Sequence, residues 1–195
     1  MIHHLPNFFT VIRILVTPLF IYLLFLRGEN AYPLALAIFV VAGITDILDG
    51  YLARKLQVES KVGKMLDPVA DKILVLSAFI SFVTMDLIYL WMVILVVLRD
   101  ITITVMRYIL EKQEMPMITS PKAKGKTAVQ IVTVIIILAY LSMKSYQVTW
   151  FTNPVENLHL IIIIMYITVL FTLYTGVDYF ITNRSAIRSL FRQHP

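Results

Sequence analysis

The chain has 195 residues, 59% of them hydrophobic and 15% charged, with a formal net charge of +5 and a mean hydropathy of +0.82, which is too apolar for a water-soluble domain and predicts an integral membrane protein. There is no cysteine, which excludes a disulfide framework, a thiol nucleophile and a cysteine metal site. The basic residues sit at the ends of apolar runs rather than in a polar domain with its own core, so an anionic membrane surface and anionic substrates are better partners than nucleic acid.

Six apolar windows follow in chain order, near 8–27, 32–54, 65–85, 87–111, 124–144 and 158–181. Each approaches the roughly 20 residues needed to cross a hydrocarbon layer. The first lies in "MIHHLPNFFTVIRILVTPLFIYLLFL", which has no basic segment before its apolar run and no small-x-small cleavage site before Arg27, so a retained helix is expected. Short connections predict an all-α polytopic fold, one membrane domain over residues 1–195 with six transmembrane helices.

Lysine and arginine set the orientation. Arg54, Lys55, Lys61 and Lys64 follow the second window; Arg107, Lys112, Lys122, Lys124 and Lys126 lie around the junction of the fourth and fifth; Arg184, Arg188 and Arg192 form the tail. The alternate connections hold only Arg27 and Lys144. Both termini are therefore expected on the cytoplasmic side of the cell (inner) membrane, with Tyr89, Trp91, Trp150 and Phe151 as interfacial aromatic belts.

Between the second and third windows runs "TDILDGYLARKLQVESKVGKMLDPVADK", residues 45–72. Asp46 and Asp49 are three apart and Asp67 and Asp71 four apart, so on helices each pair shares a face. A basic hairpin containing Gly63 can fold the pairs toward each other into a four-carboxylate pocket open to the cytoplasm. Taken singly, Asp67 before Pro68 reads as a helix cap, Asp49-Gly50 as a turn, and Asp71-Lys72 as a neutralised pair. Jointly these readings fail, because an intramembrane aspartate costs about 2.5 to 3.5 kcal/mol at the bilayer centre and four cost roughly ten, less toward the interface. Arg54 and Lys72 can snorkel away, whereas two divalent metals would neutralise the cluster. Oxygen-only ligands suit Mg²⁺, Mn²⁺ or Ca²⁺ rather than Zn²⁺. An EF-hand is excluded by Ile47 and Leu48, and a P-loop ending in "GKT" at 125–127 by Ser120 where its first glycine belongs.

The pattern Asp46-x-x-Asp49-Gly50-x-x-Ala53-Arg54, eight residues, Gly63-x-x-x-Asp67-x-x-x-Asp71 resembles the signature of the CDP-alcohol phosphotransferases at every fixed position. The resemblance implies six transmembrane helices, cytoplasmic termini, a homodimer and two Mg²⁺ or Mn²⁺ ions per site. It implies that Asp46, Asp49 and Asp67 hold the metals, with Asp71 near the second metal and acting as general base on the acceptor hydroxyl. Gly50, Ala53 and Gly63 would admit the cytidine of CDP-diacylglycerol, Arg54 would hold its phosphates, and Asn7, Thr10 and Arg13, spaced by three on the first helix, would close that seat.

Within the family, "LPNFFTVIR", "LDPVADK", Arg99-Asp100 and "KGKTAVQ" are most similar to members that transfer a phosphatidyl group from CDP-diacylglycerol to glycerol 3-phosphate, releasing CMP, in phospholipid biosynthesis. Asp100 stands where those members usually carry glutamate, and Ala123-Lys124-Gly125-Lys126-Thr127 where they commonly read Gly-Lys-x-Lys-Thr. Arg99 and Arg107, eight apart on one helical face, with Lys124 and Lys126 opening the fifth helix, are the candidate ligands of the acceptor phosphate. Arg99 stands out because it lies inside "VILVVLRDITITVM", where an unpaired charge is costly; an ion pair with Asp100 is its alternative role. Rival acceptors are inositol phosphate, phosphatidylglycerol and serine. A divalent-cation transporter is the rival of another class, opposed by the clustering of the acids at one end of the helices.

Overall fold

A computed structural model describes the backbone of residues 5–26, 28–56, 61–113 and 121–192 and the side chains of residues 13, 15–26, 28–45, 72–113 and 125–190. Among them all regular structure is helical: α1 (Leu5–Phe25), α2 (Ala31–Leu56), α3 (Lys61–Thr84), α4 (Leu90–Lys112), α5 (Pro121–Ser145), α6 (Thr149–Asn157), α7 (Leu160–Thr182) and α8 (Arg184–Arg192). The six long helices match the six apolar windows in order. The nine-residue α6 and α8 are additions, too short for a pattern sought over about 20 residues.

Gly125–Ser145 and Leu160–Thr182 have the length and hydropathy of membrane spans; the apolar parts of α1, α2 and α3 are shorter among the described residues. Side-chain exposure points to the same solvent. Leu15, Val41, Leu98 and Leu170 are each more than half exposed, whereas Phe20, Phe39, Phe79, Phe82, Met92 and Met165 are almost wholly buried. So much outward apolar surface suits lipid rather than water.

Helix α1 packs on α2 and α3, while α5 and α4 pack on α7; α3 touches α4 and α5, and α2 touches α5, joining the two groups. Helices α4 and α7 run parallel, because Trp91 meets Tyr166 at 5.6 Å between ring centroids and Arg99 meets Thr175 eight to nine residues later on each. Helices α5 and α7 run antiparallel, since Thr133 bonds Thr168 at 2.6 Å while Lys126, nearer the start of α5, sits level with Thr175 through Asp100 and Arg99.

Two chain reversals share one device. At the end of α3, Leu87 N–H bonds the Phe82 carbonyl and Asp86 N–H that of Val83; at the end of α5, Val148 bonds Met143 and Gln147 bonds Lys144. These are Schellman ends with Asp86 (φ 58°) and Gln147 (φ 57°) in the left-handed position usually given to glycine. At this end of the bundle, Ser145 Oγ donates to the Glu29 carbonyl and Tyr146 OH to Asn30 Oδ1, both at 2.9 Å, tying the α1–α2 connection to α5.

Candidate active site

The fixed positions of the acidic motif all lie on helix. Asp46, Asp49, Gly50, Ala53 and Arg54 fall in the second half of α2, and Gly63, Asp67 and Asp71 in the first half of α3. Asp67 is therefore not a helix cap, since α3 begins at Lys61, and Asp49-Gly50 is not a turn. The three- and four-residue spacings each place their pair on one helical face. Asn7 and Thr10 lie on α1 and Lys124 in the first turn of α5. The side chains of all these residues lie outside the described ones, as do their mutual contacts. Among the described side chains no group of three or more potential metal ligands occurs; the four motif aspartates lie outside them. An all-carboxylate set of this kind fits a hard divalent cation.

Directly after Asp71, Lys72 opens a cavity of about 530 Å³ between α3, α4, α5 and the end of α7. That volume lies within the usual range for a small-molecule pocket. Arg99, Arg107 and Lys126 all line it, so three of the four cations that the sequence assigns to an acceptor come together. The fourth lining cation is Lys72, which the sequence reading gave to the interface. Among the lining residues, four cations face the single carboxylate of Asp100, a formal excess of three positive charges.

Asp100 organises the inner part. Its Oδ1 accepts from Arg99 Nη1 at 3.1 Å and from Lys126 Nζ, and the Arg99 and Asp100 side chains are only 8% and 11% exposed. Arg99 also donates through Nη2 to Thr175 Oγ1 at 3.1 Å, a hydroxyl that itself donates to the Thr172 carbonyl. The ion pair and the cavity-lining position are thus one arrangement rather than alternatives.

Gly176 makes room for it. A Cβ there would lie 3.1 Å from Arg99 Cγ and 3.3 Å from Nε, so a bare backbone is what lets the arginine lie against α7. One turn along α4, Thr104 donates to the Asp100 carbonyl and accepts from Lys72 Nζ at 2.9 Å. Arg107, one further turn on, is exposed at the cavity edge.

Thr175, Gly176, Tyr179 and Thr104 carry no motif, and Gln130 closes the run "KGKTAVQ" without a role that the run assigns to it; their roles follow from which faces of α4, α5 and α7 meet. Only the small-residue and hydroxyl spacing of α7, with Thr168, Thr172, Thr175 and Gly176 on one stripe, hints at a packed polar seam.

The cavity thus gathers four cations around one carboxylate, two of them, Arg99 and Lys126, buried with it, a charge excess that suits an anionic ligand. The family model for CDP-alcohol phosphatidyltransferase matches residues 3–174, and the chain belongs to that family; it is an enzyme of the phosphatidyltransferase class. Members of the family generally depend on a divalent metal.

The chain is 33% identical to the CDP-diacylglycerol--glycerol-3-phosphate 3-phosphatidyltransferase of Bacillus subtilis, over 95% of this chain and 98% of that protein. It is equally similar, at 33%, to the protein of that name from Rickettsia typhi, over 91% of this chain and 95% of the relative. A probable phosphatidylglycerophosphate synthase of Mycobacterium tuberculosis is 33% identical over 91% of this chain and 80% of its own length.

Proposed function

We propose that this protein transfers the phosphatidyl group of CDP-diacylglycerol to glycerol 3-phosphate, giving phosphatidylglycerophosphate and CMP. The observation that carries the reading is the cavity whose lining gathers Lys72, Arg99, Arg107 and Lys126, Lys72 following directly on Asp71 of the acidic motif in the sequence. The names of the relatives from Bacillus and Rickettsia agree with it. A phosphate monoester carries close to two negative charges at neutral pH, and arginine offers it a planar fork of donors. Serine would leave this excess of cations uncompensated, so an anionic acceptor is favoured over it.

Asp46, Asp49, Asp67 and Asp71 would hold two Mg²⁺ or Mn²⁺ ions. Bound there, the ions would supply Lewis-acid stabilisation of the pyrophosphate. The remaining tasks fall to protein groups. Arg54 would hold donor phosphate, while Gly50, Ala53 and Gly63, with Asn7 and Thr10, would seat the cytidine. Lys72, Arg107, Lys124 and Lys126 would draw the acceptor phosphate in, and Arg99, fixed by Asp100 and Thr175, would orient it. Asp71, adjacent in sequence to cavity-lining Lys72, would take the proton of the attacking hydroxyl. The phosphatidyl phosphorus then forms its bond to that oxygen as the bond to CMP breaks.

In the same reading all six long helices cross the cell membrane, both termini are cytoplasmic, and the acidic end faces the cytoplasm. Purified protein given CDP-diacylglycerol, Mg²⁺ and glycerol 3-phosphate should release CMP, and Asp67→Asn or Asp71→Asn should abolish the release. Inositol phosphate, phosphatidylglycerol and serine are run in parallel. CMP release with another of these and none with glycerol 3-phosphate would reassign the acceptor; divalent-metal flux in liposomes with no CMP release would replace the enzyme reading by a transporter.

A further inference from the structure

Five buried side-chain polar atoms lack a hydrogen-bond partner among the described residues, and three of them, Arg99 Nε, Gln130 Nε2 and Tyr179 Oη, belong to residues lining this one cavity. Buried donors are normally satisfied, so a concentration of unsatisfied ones around a cavity marks where a ligand completes them. Gln130 and Tyr179 are 5% and 4% exposed, so bulk water has little access to their polar atoms.

Their placement relative to the ion layer is specific. Gln130 lies one turn beyond Lys126 on α5, and Tyr179 one turn beyond Thr175 on α7, and those two helices are antiparallel. Long side chains on a helix lean toward its N-terminus. Gln130 therefore leans back toward the level of Lys126 and Tyr179 toward that of Arg99. The two approach the Arg99–Asp100–Lys126 layer from opposite sides of it.

We propose that Gln130 and Tyr179 are specificity-determining residues that hydrogen-bond the non-reacting hydroxyl of a polyol phosphate acceptor. The inference rests on the reading of the cavity as the acceptor site. Charge balance directs the anionic end of the acceptor to the four cations, which leaves an uncharged amide and a phenol for an uncharged group. A hydroxyl suits both, accepting from the amide and exchanging a hydrogen bond in either sense with the phenol. An acceptor lacking that hydroxyl leaves both protein atoms buried and unpaired, which is how a polar site rejects a close analogue.

The test compares glycerol 3-phosphate with 3-hydroxypropyl phosphate, which keeps the phosphate and a reacting hydroxyl but lacks the central one. CMP release gives kcat/KM for each acceptor in the wild type, in Tyr179→Phe and in Gln130→Met, both close to volume-conserving. The wild type should prefer glycerol 3-phosphate, and each variant should reduce that preference by about tenfold with KM for CDP-diacylglycerol unchanged. Equal losses for both acceptors would show a structural role and overturn the inference, as would unchanged preference. A wild type that turns over neither compound but uses another acceptor would instead overturn the reading of the cavity on which the inference rests.

Discussion

Helix α5 carries a lysine paired with a carboxylate near each end, and the two pairs differ in nearly everything but their chemistry. Lys126 and Lys144 are eighteen residues apart, about 27 Å along a helix, close to the thickness of a hydrocarbon layer of about 30 Å. Lys126 meets Asp100 inside the cavity, where the side chains are 10% and 11% exposed. Lys144 meets Glu156 of α6 at 2.7 Å, where they are 56% and 47% exposed. At the first site there is little water to replace a lost partner, and Arg99 shares the carboxylate. At the second, water competes throughout. Burial, rather than the pairing itself, turns a lysine and a carboxylate into a device that can hold an arginine in place.

The largest effect should come from removing the shared carboxylate. Asp100→Asn strands both Arg99 and Lys126, and breaking a buried pair of this kind costs about 3 to 5 kcal/mol. The melting temperature in detergent should fall sharply, and CMP release should be lost. Adding Lys126→Met to Asp100→Asn should recover part of the stability, because one of the two stranded cations has gone, while activity stays low. Recovery of both would show that the pair serves stability alone. Asp100→Glu keeps the charge and should retain most of the stability.

A smaller loss is expected at the contact that seats Arg99. Gly176→Ala introduces a Cβ 3.1 Å from Arg99 Cγ, an overpacking typically worth about 1 to 3 kcal/mol. The kinetic signature should be a raised KM for glycerol 3-phosphate with KM for CDP-diacylglycerol unchanged. A rise in both would place Arg99 on the donor side. Away from the cavity, Thr133→Val removes the hydroxyl bonded to Thr168, and the loss should be about 0.6 kcal/mol, visible in the melt and absent from the kinetics.

The same contrast explains how much could be read from the chain. The acidic motif was legible because its spacing is contained in two successive helices, so three- and four-residue intervals fix the shared faces without tertiary knowledge. Arg99 was legible because a cation in an apolar run must be compensated. Lys72 was not: a lysine at a helix end can snorkel to the interface, and only the Thr104 hydroxyl opposite it shows that it turns to the cavity. Gln130, Tyr179 and Gly176 depend on the rotation of α5 and α7 against α4, which hydrophobic periodicity does not set in helices apolar on nearly every face. The short α6 and α8 escaped because no membrane-length pattern can register nine residues.

The smallest effects belong to the exposed pair, and pH separates it from the buried one. The hydrogen bond from Lys144, and after it that from the Tyr140 hydroxyl at 2.6 Å, hold the Glu156 carboxyl below its usual value. A carboxyl depressed in the folded state binds its proton more readily when unfolded, so its contribution is fully present above the unfolded value. It is lost as pH falls through the lower, folded one. The melting temperatures of wild type and Glu156→Gln should therefore differ slightly at neutral pH and converge in acid. Added salt should also narrow the gap, because exposed pairs are screened. Glu156→Gln should not alter CMP release at neutral pH, since α6 contributes no residue to the cavity lining. A loss of activity in Glu156→Gln would mean that the two ends of α5 are coupled, and that the exposed pair helps set the position of Lys126.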